Sequence, residues 1–424
     1  MNLLIITNHF WPENFRINDL ALGLIKNGHR VTVLTGVPDY PEGKFFPGYG
    51  IFKRRQENYQ GIKIRRVPRV PRGQGGKLRL TLSFLSFALC GCLLAPMYFP
   101  RSFDLILVFE TSPVTVGLPA LVLKRLRNIP IMFWVQDLWP ESLSATGAVS
   151  SSLLLGLVGL LVQLIYRGSD LMLAQSRAFF PSIEKYGGSR EKIVYLPNTA
   201  EDFYRPVQVE AKAPERSLLP RGFILMFAGN IGAAQDFETI LSAAEVLKDQ
   251  RDLHWVILGD GRRRAWVEDQ VGIRGLGNTV HLLGRHPPET MPRFFALADA
   301  LLVTLKKEPI FALTIPAKVQ SYLACSKPVI ASLDGEGARV VQEADAGLAG
   351  PAGDSAALAD NVLAMYHLPT SKRRAMGLRG RGYFERHFER QMLLDRLEKL
   401  MQEVKGDQGR VLEKGILGRK MPIR

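Results

Sequence analysis

Lys318 stands in the first turn of a helix that Pro316 opens, inside the stretch Phe311 to Gly337, FALTIPAKVQSYLACSKPVIASLDGEG. Proline at a helix start forfeits no intrahelical hydrogen bond, and the free N–H groups there, beside a lysine, offer a seat to an anion such as phosphate. The chemistry this allows is recognition of a phosphorylated ligand. A second anion-seeking pattern is Gly229-Asn230-Ile231-Gly232, whose glycines let backbone N–H groups approach a charged group at the start of the next helix. Asp137 follows the apolar run Pro130 to Val135, so it is an acid at the carboxyl end of a strand, where ligands bind in open α/β sheets. The same position also suits a helix cap. No Ser/His/Asp set and no paired-carboxylate spacing points to another catalytic scheme. Cys90 and Cys92 lack histidine or cysteine partners at metal spacing, which favours reduced thiols.

The elements that must position these residues alternate between apolar runs and helical patterns. Residues 2–7 (NLLIIT), the amphipathic segment from Asn18 to Asn27 closed by Gly28, and Arg30 to Thr35 read as the β-α-β opening of a doubly wound sheet. The loop after the first strand, His9 to Arg16, lacks G-x-G-x-x-G, which removes the main support for a dinucleotide-dependent dehydrogenase. Further strands are expected at Asp104 to Val108, Pro130 to Val135, Asp170 to Ser176 and Lys192 to Thr199. A second series includes Phe223 to Ala228, Trp255 to Leu258, Val280 to Gly284, Asp299 to Val303 and Pro328 to Ser332. The loop from Val37 to Tyr49 is longer than a simple connection needs, and it reads either as functional or as a surface excursion.

The chain has 424 residues, which suits two domains of about 200 each. Its net charge of +15 favours a polyanion, either nucleic acid or an anionic membrane. Basic residues crowd from Lys53 to Arg79, next to Lys77 to Phe99 (KLRLTLSFLSFALCGCLLAPMYF), and no zinc-finger, RRM or KH pattern accompanies them. The reading is a membrane surface and no nucleic acid. A full span would split one sheet across the bilayer, so the apolar run is expected to lie in the interface, anchored by Arg65, Arg66, Arg69, Arg72, Lys77 and Arg79, with a buried core helix as the alternative. With three cysteines and no secretory leader, the expected location is the cytoplasmic face of the inner or plasma membrane, peripheral or monotopic.

The set of motifs resembles glycosyltransferase family 4, and within it the bacterial O-antigen and capsule branch. Pro316, Lys318, Tyr322, Leu323, Ala324 and Lys327 to Ala331 match P-x-K-x-x-x-Y-L-A-x-x-K-P-V-I-A, and Asp137 to Ser142 match D-L-W-P-E/D-S. Gly259-Asp260-Gly261, Pro197-Asn198 and Pro351 to Leu358 follow in family order. The resemblance implies the α/β GT-B fold, two Rossmann-like doubly wound domains facing a cleft. It divides the chain into an acceptor domain 1–206, a linker 207–220, a donor domain 221–388, a crossover helix 389–405 and a mobile basic tail 406–424. It implies a retaining transfer of a hexosyl or N-acetyl-aminohexosyl group, with no metal and no cofactor, from a nucleotide sugar as co-substrate, most simply UDP-linked, to a polyprenyl-diphosphate-linked saccharide. Asp137 and Lys318 are then catalytic. Gly229, Asn230, Gly232, Gly284, Arg285, Glu336 and Gly337 hold the donor, and Glu141 and Arg16 serve the acceptor, with a plain surface role as the alternative for Arg16. Two departures stand out. The Gly229 loop has Ala233 and Ala234 where a cation is usual, leaving Arg262 to Arg264 or Lys306 as auxiliaries to Lys318. Leu313 and Ser321 replace two glutamates, so Ser321 or Tyr322 must serve the ribose. A nucleotide-sugar epimerase, needing a glutamate-histidine set to which His9, His281 and His286 are placed to contribute, and a non-catalytic polyanion-binding protein are the rivals.

Overall fold

A computed structural model describes residues 1–73, 76–100, 103–145, 149 and 151–417, with Lys77 and residues 407–417 described by backbone alone. The chain forms two compact units, Met1–Pro197 with Gln391–Arg424, and Asn198–Arg390.

The first unit carries an eight-stranded sheet: β1 (Asn2–Thr7), β2 (Arg30–Gly36), β3 (Gln56–Tyr59), β4 (Ile62–Val67), β5 (Leu105–Glu110), β6 (Ile131–Val135), β7 (Leu171–Ala174) and β8 (Ile193–Tyr195), in the order β3-β4-β2-β1-β5-β6-β7-β8. Pairing is parallel except for β3 against β4. Helices cover both faces, which is why β5 and β6 are apolar and buried at every position up to the closing Glu110. The helix Arg16–Lys26 turns Ile17, Ala21 and Leu24 inward at i, i+4, i+7 spacing. The last helix, Arg390–Leu417, returns to this unit and inserts Leu393, Leu394, Leu397, Met401 and Val404 into the same core as β1 and β5. It continues well past Lys405, where the mobile tail was expected to begin, and residues 418–424 of that tail lie outside the described residues.

The second unit carries β9 (Phe223–Ala228), β10 (Leu253–Leu258), β11 (Val280–Gly284), β12 (Ala300–Thr304), β13 (Val329–Ser332) and β14 (Gly347–Gly350), all parallel, in the order β11-β10-β9-β12-β13-β14. Each sheet reverses winding once, between β1 and β5 in one and between β9 and β12 in the other. That switch point is where an open sheet leaves a crevice at its carboxyl edge. The two α/β sheets bear out the expectation of two Rossmann-like domains. The division between units falls at Pro197/Asn198, earlier than the expected linker 207–220. Residues beyond Asn198 are fastened within the second unit, Thr199 Oγ1 donating to Phe388 O at 2.6 Å and Arg293 gripping Glu215 at 2.7 Å.

The apolar run forms a helix over Lys77–Tyr98, the crossover between β4 and β5. One face, with Ser83, Phe87, Ala88 and Ala95, is buried, and Gly91 abuts Pro119 of the helix Leu118–Arg127. The opposite line, Leu78, Leu82, Leu85, Leu89, Leu93 and Met97, stands 46–75% exposed. The core-helix alternative therefore holds for one face only. The expected anchors need correcting as well: the side chains of Arg66 and Arg69 are fully buried, paired with Glu57 and with Asp39. They neutralise the half-buried Glu57 and the buried Asp39 and have no free charge to offer a lipid.

Candidate active site

In the second unit Lys318 and the Gly229–Gly232 loop, part of the predicted donor set, meet at the carboxyl ends of β9 and β10. Lys318 lies in the first turn of the helix Ala317–Ala324, with Pro316 as its N-cap. Its ammonium lies 4.4 Å from the centre of the Phe227 ring and donates to Gln235 Oε1. The residue is half-buried, and burial with no compensating carboxylate pushes the amine down to about 7. Beneath it runs Gly229, in a backbone conformation of φ +148° that L side chains rarely adopt; a Cβ there would sit 2.6 Å from Lys318 Cε. The turn is closed by Gly259, whose absent Cβ would fall 1.8 Å from the Gly229 carbonyl oxygen. Asn230 is exposed beside it, and its side chain lies over Gly232 and Gly261. Thr304 Oγ1 donates to Gln235 O at 2.5 Å and Lys306 N to Ala234 O at 3.0 Å, tying the β9 and β12 loops together across the switch point.

The other donor expectations fare differently. Gly284 closes β11 with its carbonyl bonded to Gly259 N at 2.7 Å, and Arg285 is exposed beside it. Arg263 stacks on Trp266, its guanidinium 3.8 Å from the ring centre, and Arg264 pairs with Glu268 at 2.8 Å. Tyr322 cannot replace a ribose-gripping glutamate. It is packed in the core, its hydroxyl 3.2 Å from Ala228 N and 3.3 Å from Leu302 O. The motif matched the family, but the position faces the sheet. Ser321 Oγ is likewise turned back on its own helix, donating to Ala317 O at 3.2 Å. Glu336 is engaged by Arg339, with Nη2 at 2.8 Å and Nε at 3.0 Å, so it is not a free carboxylate, and Gly337 is packed against Leu333 and Pro316.

In the first unit the carboxyl edge gathers a different chemistry. Asp137 follows β6, accepts from the Ser112 hydroxyl and is pushed up by burial. Trp139 Nε1 donates to the same Ser112 Oγ at 2.9 Å. Glu141 Oε1 accepts from Ser182 Oγ at 2.7 Å, while its buried Oε2 has no hydrogen-bond partner. Arg16 opens its helix, half-buried.

Sequence reasoning missed two groups. One is Glu110, buried at the end of β5, which accepts from the backbone N–H of Gln136 at 3.1 Å and of Asp137 at 3.0 Å. Its signal was available, an acid closing the run LILVFE. The other is the set of partners around His9, which the sequence offered only for the epimerase reading: its Nδ1 lies 3.0 Å from Glu13 Oε2, and burial holds it below the ordinary histidine range. Asp39 joins them closely enough for a metal, but Arg69 bonds Asp39 and stands 3.7 Å from Glu13, so a guanidinium already supplies the positive charge. His281 and His286 are spent locally, on His254 at 3.2 Å and on Leu283 O at 3.2 Å.

Comparison with known proteins agrees with this geometry. The family Glycosyl transferase 4-like domain matches residues 14–199 and the family Glycosyl transferases group 1 matches residues 222–367. A protein of Escherichia coli (strain K12) named as a colanic acid biosynthesis glycosyl transferase, WcaI, is 24% identical over 340 residues, 76% of this chain and 81% of its own. Among solved structures, sucrose-phosphate synthase from Thermosynechococcus elongatus superposes with a TM-score of 0.76 at 17% identity, over 96% of this chain and 99% of that one. Anabaena Alr3699/HepE in complex with UDP does so with a TM-score of 0.71 at 15% identity, over 95% and 100%. With both sheets, both switch points and two matched glycosyltransferase families spanning most of its length, this chain is a glycosyltransferase of the GT-B fold.

Proposed function

We propose that the enzyme transfers a hexosyl or N-acetyl-aminohexosyl group, with retained anomeric configuration, from a UDP-linked sugar to a polyprenyl-diphosphate-linked saccharide in surface polysaccharide biosynthesis. The observation that carries the donor half is the Lys318 ammonium over the Gly229 turn, beside the start of the helix Ala317–Ala324. The leaving nucleoside diphosphate develops charge as the glycosidic bond breaks. A positioned cation and helix-start N–H groups stabilise it without a metal ion. Exposed Asn230 and Arg285 border the same edge. UDP is favoured because HepE, of the same fold, is described in complex with it.

Asp137 is assigned to the transferred sugar or the acceptor hydroxyl, with Glu141 as a further acceptor contact. A lipid-borne acceptor is supported by the apolar line on Lys77–Tyr98 and by a second one on the helix Ser152–Gly168, where Leu153, Leu157, Leu160 and Leu164 are exposed. We place the protein at the cytoplasmic face of the membrane on this ground. Thermal-shift measurement with UDP, GDP, ADP and NAD on wild type and Lys318→Ala tests the donor half. Stabilisation by one nucleoside diphosphate, lost in the folded variant together with transfer, is expected. A response to none, or turnover retained by Lys318→Ala, refutes the assigned role.

A further inference from the structure

Glu110 is the residue of the first unit whose chemistry remains unexplained. It closes β5, wholly buried, and its Oε2 accepts from two consecutive N–H groups, those of Gln136 and Asp137, on the neighbouring strand end. Oε1 is buried without a hydrogen-bond partner. A side chain that ties down the backbone of a site residue while leaving one oxygen unsolvated is expensive as an anion and tolerable as a neutral acid.

The groups around it sharpen the point. Asp137 on the β6 side repels a charge on Glu110, and the Tyr166 phenol from the helix Ser152–Gly168 feels Glu110, Asp137 and Glu141 together. Besides the backbone N–H of Ser112, which with those of Gln136 and Asp137 favours the anion, these neighbours are acids and a phenol, and among the described residues no lysine or arginine ion-pairs with Glu110. We propose that Glu110 is a neutral, proton-bearing positioning residue, gripping the Gln136–Asp137 backbone so that the Asp137 carboxyl is aimed by Ser112 and Trp139 without a second negative charge beside it. This rests on the reading of Asp137 as the residue facing sugar or acceptor. Burial and the nearby Asp137 carboxylate both push the Glu110 carboxyl well above the ordinary range, which agrees with the geometry. As pH rises through that raised value, Glu110 ionises, the two carboxylates repel, and the aim of Asp137 is lost.

Infrared difference spectra of the full-length enzyme, with turnover of UDP-glucose, UDP-N-acetylglucosamine and GDP-mannose across pH, test the proposal. The wild type is expected to show a protonated-carboxyl carbonyl band at pH 7 that Glu110→Gln removes. Glu110→Gln keeps the acceptor for both N–H groups and cannot ionise, so it should retain turnover within about 3-fold and lose the alkaline fall of kcat. Glu110→Ala leaves the two N–H groups unpaired and should lower kcat by about 10-fold or more. Absence of the band, or an alkaline limb of kcat that persists in Glu110→Gln when donor is saturating at each pH, so that weakened donor binding through Lys318 does not enter, overturns the proposal. Full turnover by Asp137→Asn would overturn the Asp137 reading and the positioning role with it. The infrared band reads the proton without turnover, so the two failures are told apart.

Discussion

On the proposed role of Lys318 at the donor diphosphate, anion binding is coupled to pH. With its amine at about 7 in the free enzyme, half the molecules near neutrality must take up a proton when a diphosphate arrives and raises that value. Affinity for UDP should therefore fall as pH rises above about 7, approaching 10-fold per pH unit. Calorimetry in buffers of different ionisation enthalpy should register the proton uptake, and Lys318→Arg, which stays charged, should flatten the slope. A buffer-independent enthalpy at pH 8 would refute the coupling. Stability follows with a definite sign. A lysine depressed from about 10.4 unfolded to about 7 folded costs the fold its full desolvation below pH 7, and the cost is released as pH rises across that window. Lys318→Met should thus raise Tm at pH 6 and remove the upward trend, while abolishing the response to nucleotide. How much was legible at this scale depended on whether the partner lay nearby in sequence. Lys318 was readable from Pro316 and its helix. Gln235, which meets it from 83 residues away, and Arg69, which meets Asp39 from 30 away, were not. An arginine in a basic run looks like surface until its distant carboxylate is known.

At the scale of elements, strand positions were legible because fully buried parallel strands appear as nearly uninterrupted apolar runs, and β5, β9 and β12 do. Which face of a helix meets the core was less so. The short helix Ala317–Ala324 buries every residue from Val319 onward, which is why Tyr322 and Ser321 were misplaced at the ligand side. The two glycines of the donor turn separate local strain from collision. Gly229→Ala meets only the mobile end of Lys318, so it should cost about 1–3 kcal/mol of backbone strain and displace the ammonium. Gly259→Ala meets the Gly229 carbonyl, which belongs to the sheet edge and has no rotamer to escape by. It should be the more damaging of the two, costing above about 3 kcal/mol. Urea unfolding midpoints decide it, and equal losses would show that the turn relaxes more freely than its geometry implies.

For the whole molecule the question is what a chain of net charge +15 does with two exposed leucine lines. Charge alone would give weak, salt-sensitive adsorption to any polyanion, and apolar area alone would favour self-association. Together they favour an anionic bilayer, with insertion supplied by the leucines and orientation by the cations that remain outside ion pairs. The two contributions separate experimentally. Burying one leucine contributes about 1.5–3 kcal/mol when complete, so Leu85→Ser with Leu89→Ser, each over half exposed, should weaken vesicle partition by about 100-fold. That loss should be the same at low and high salt, because it removes apolar area and no charge. Replacing anionic by zwitterionic lipid should produce a loss of its own that fades as salt rises, since screening already removes the attraction. Co-sedimentation of the wild type and double variant across both lipids and both salts gives the four values needed. Wild type that ignores vesicles at low salt would refute the membrane surface outright. A double variant that binds like wild type would leave charge as the whole attraction, and the leucine lines would then belong to a protein partner.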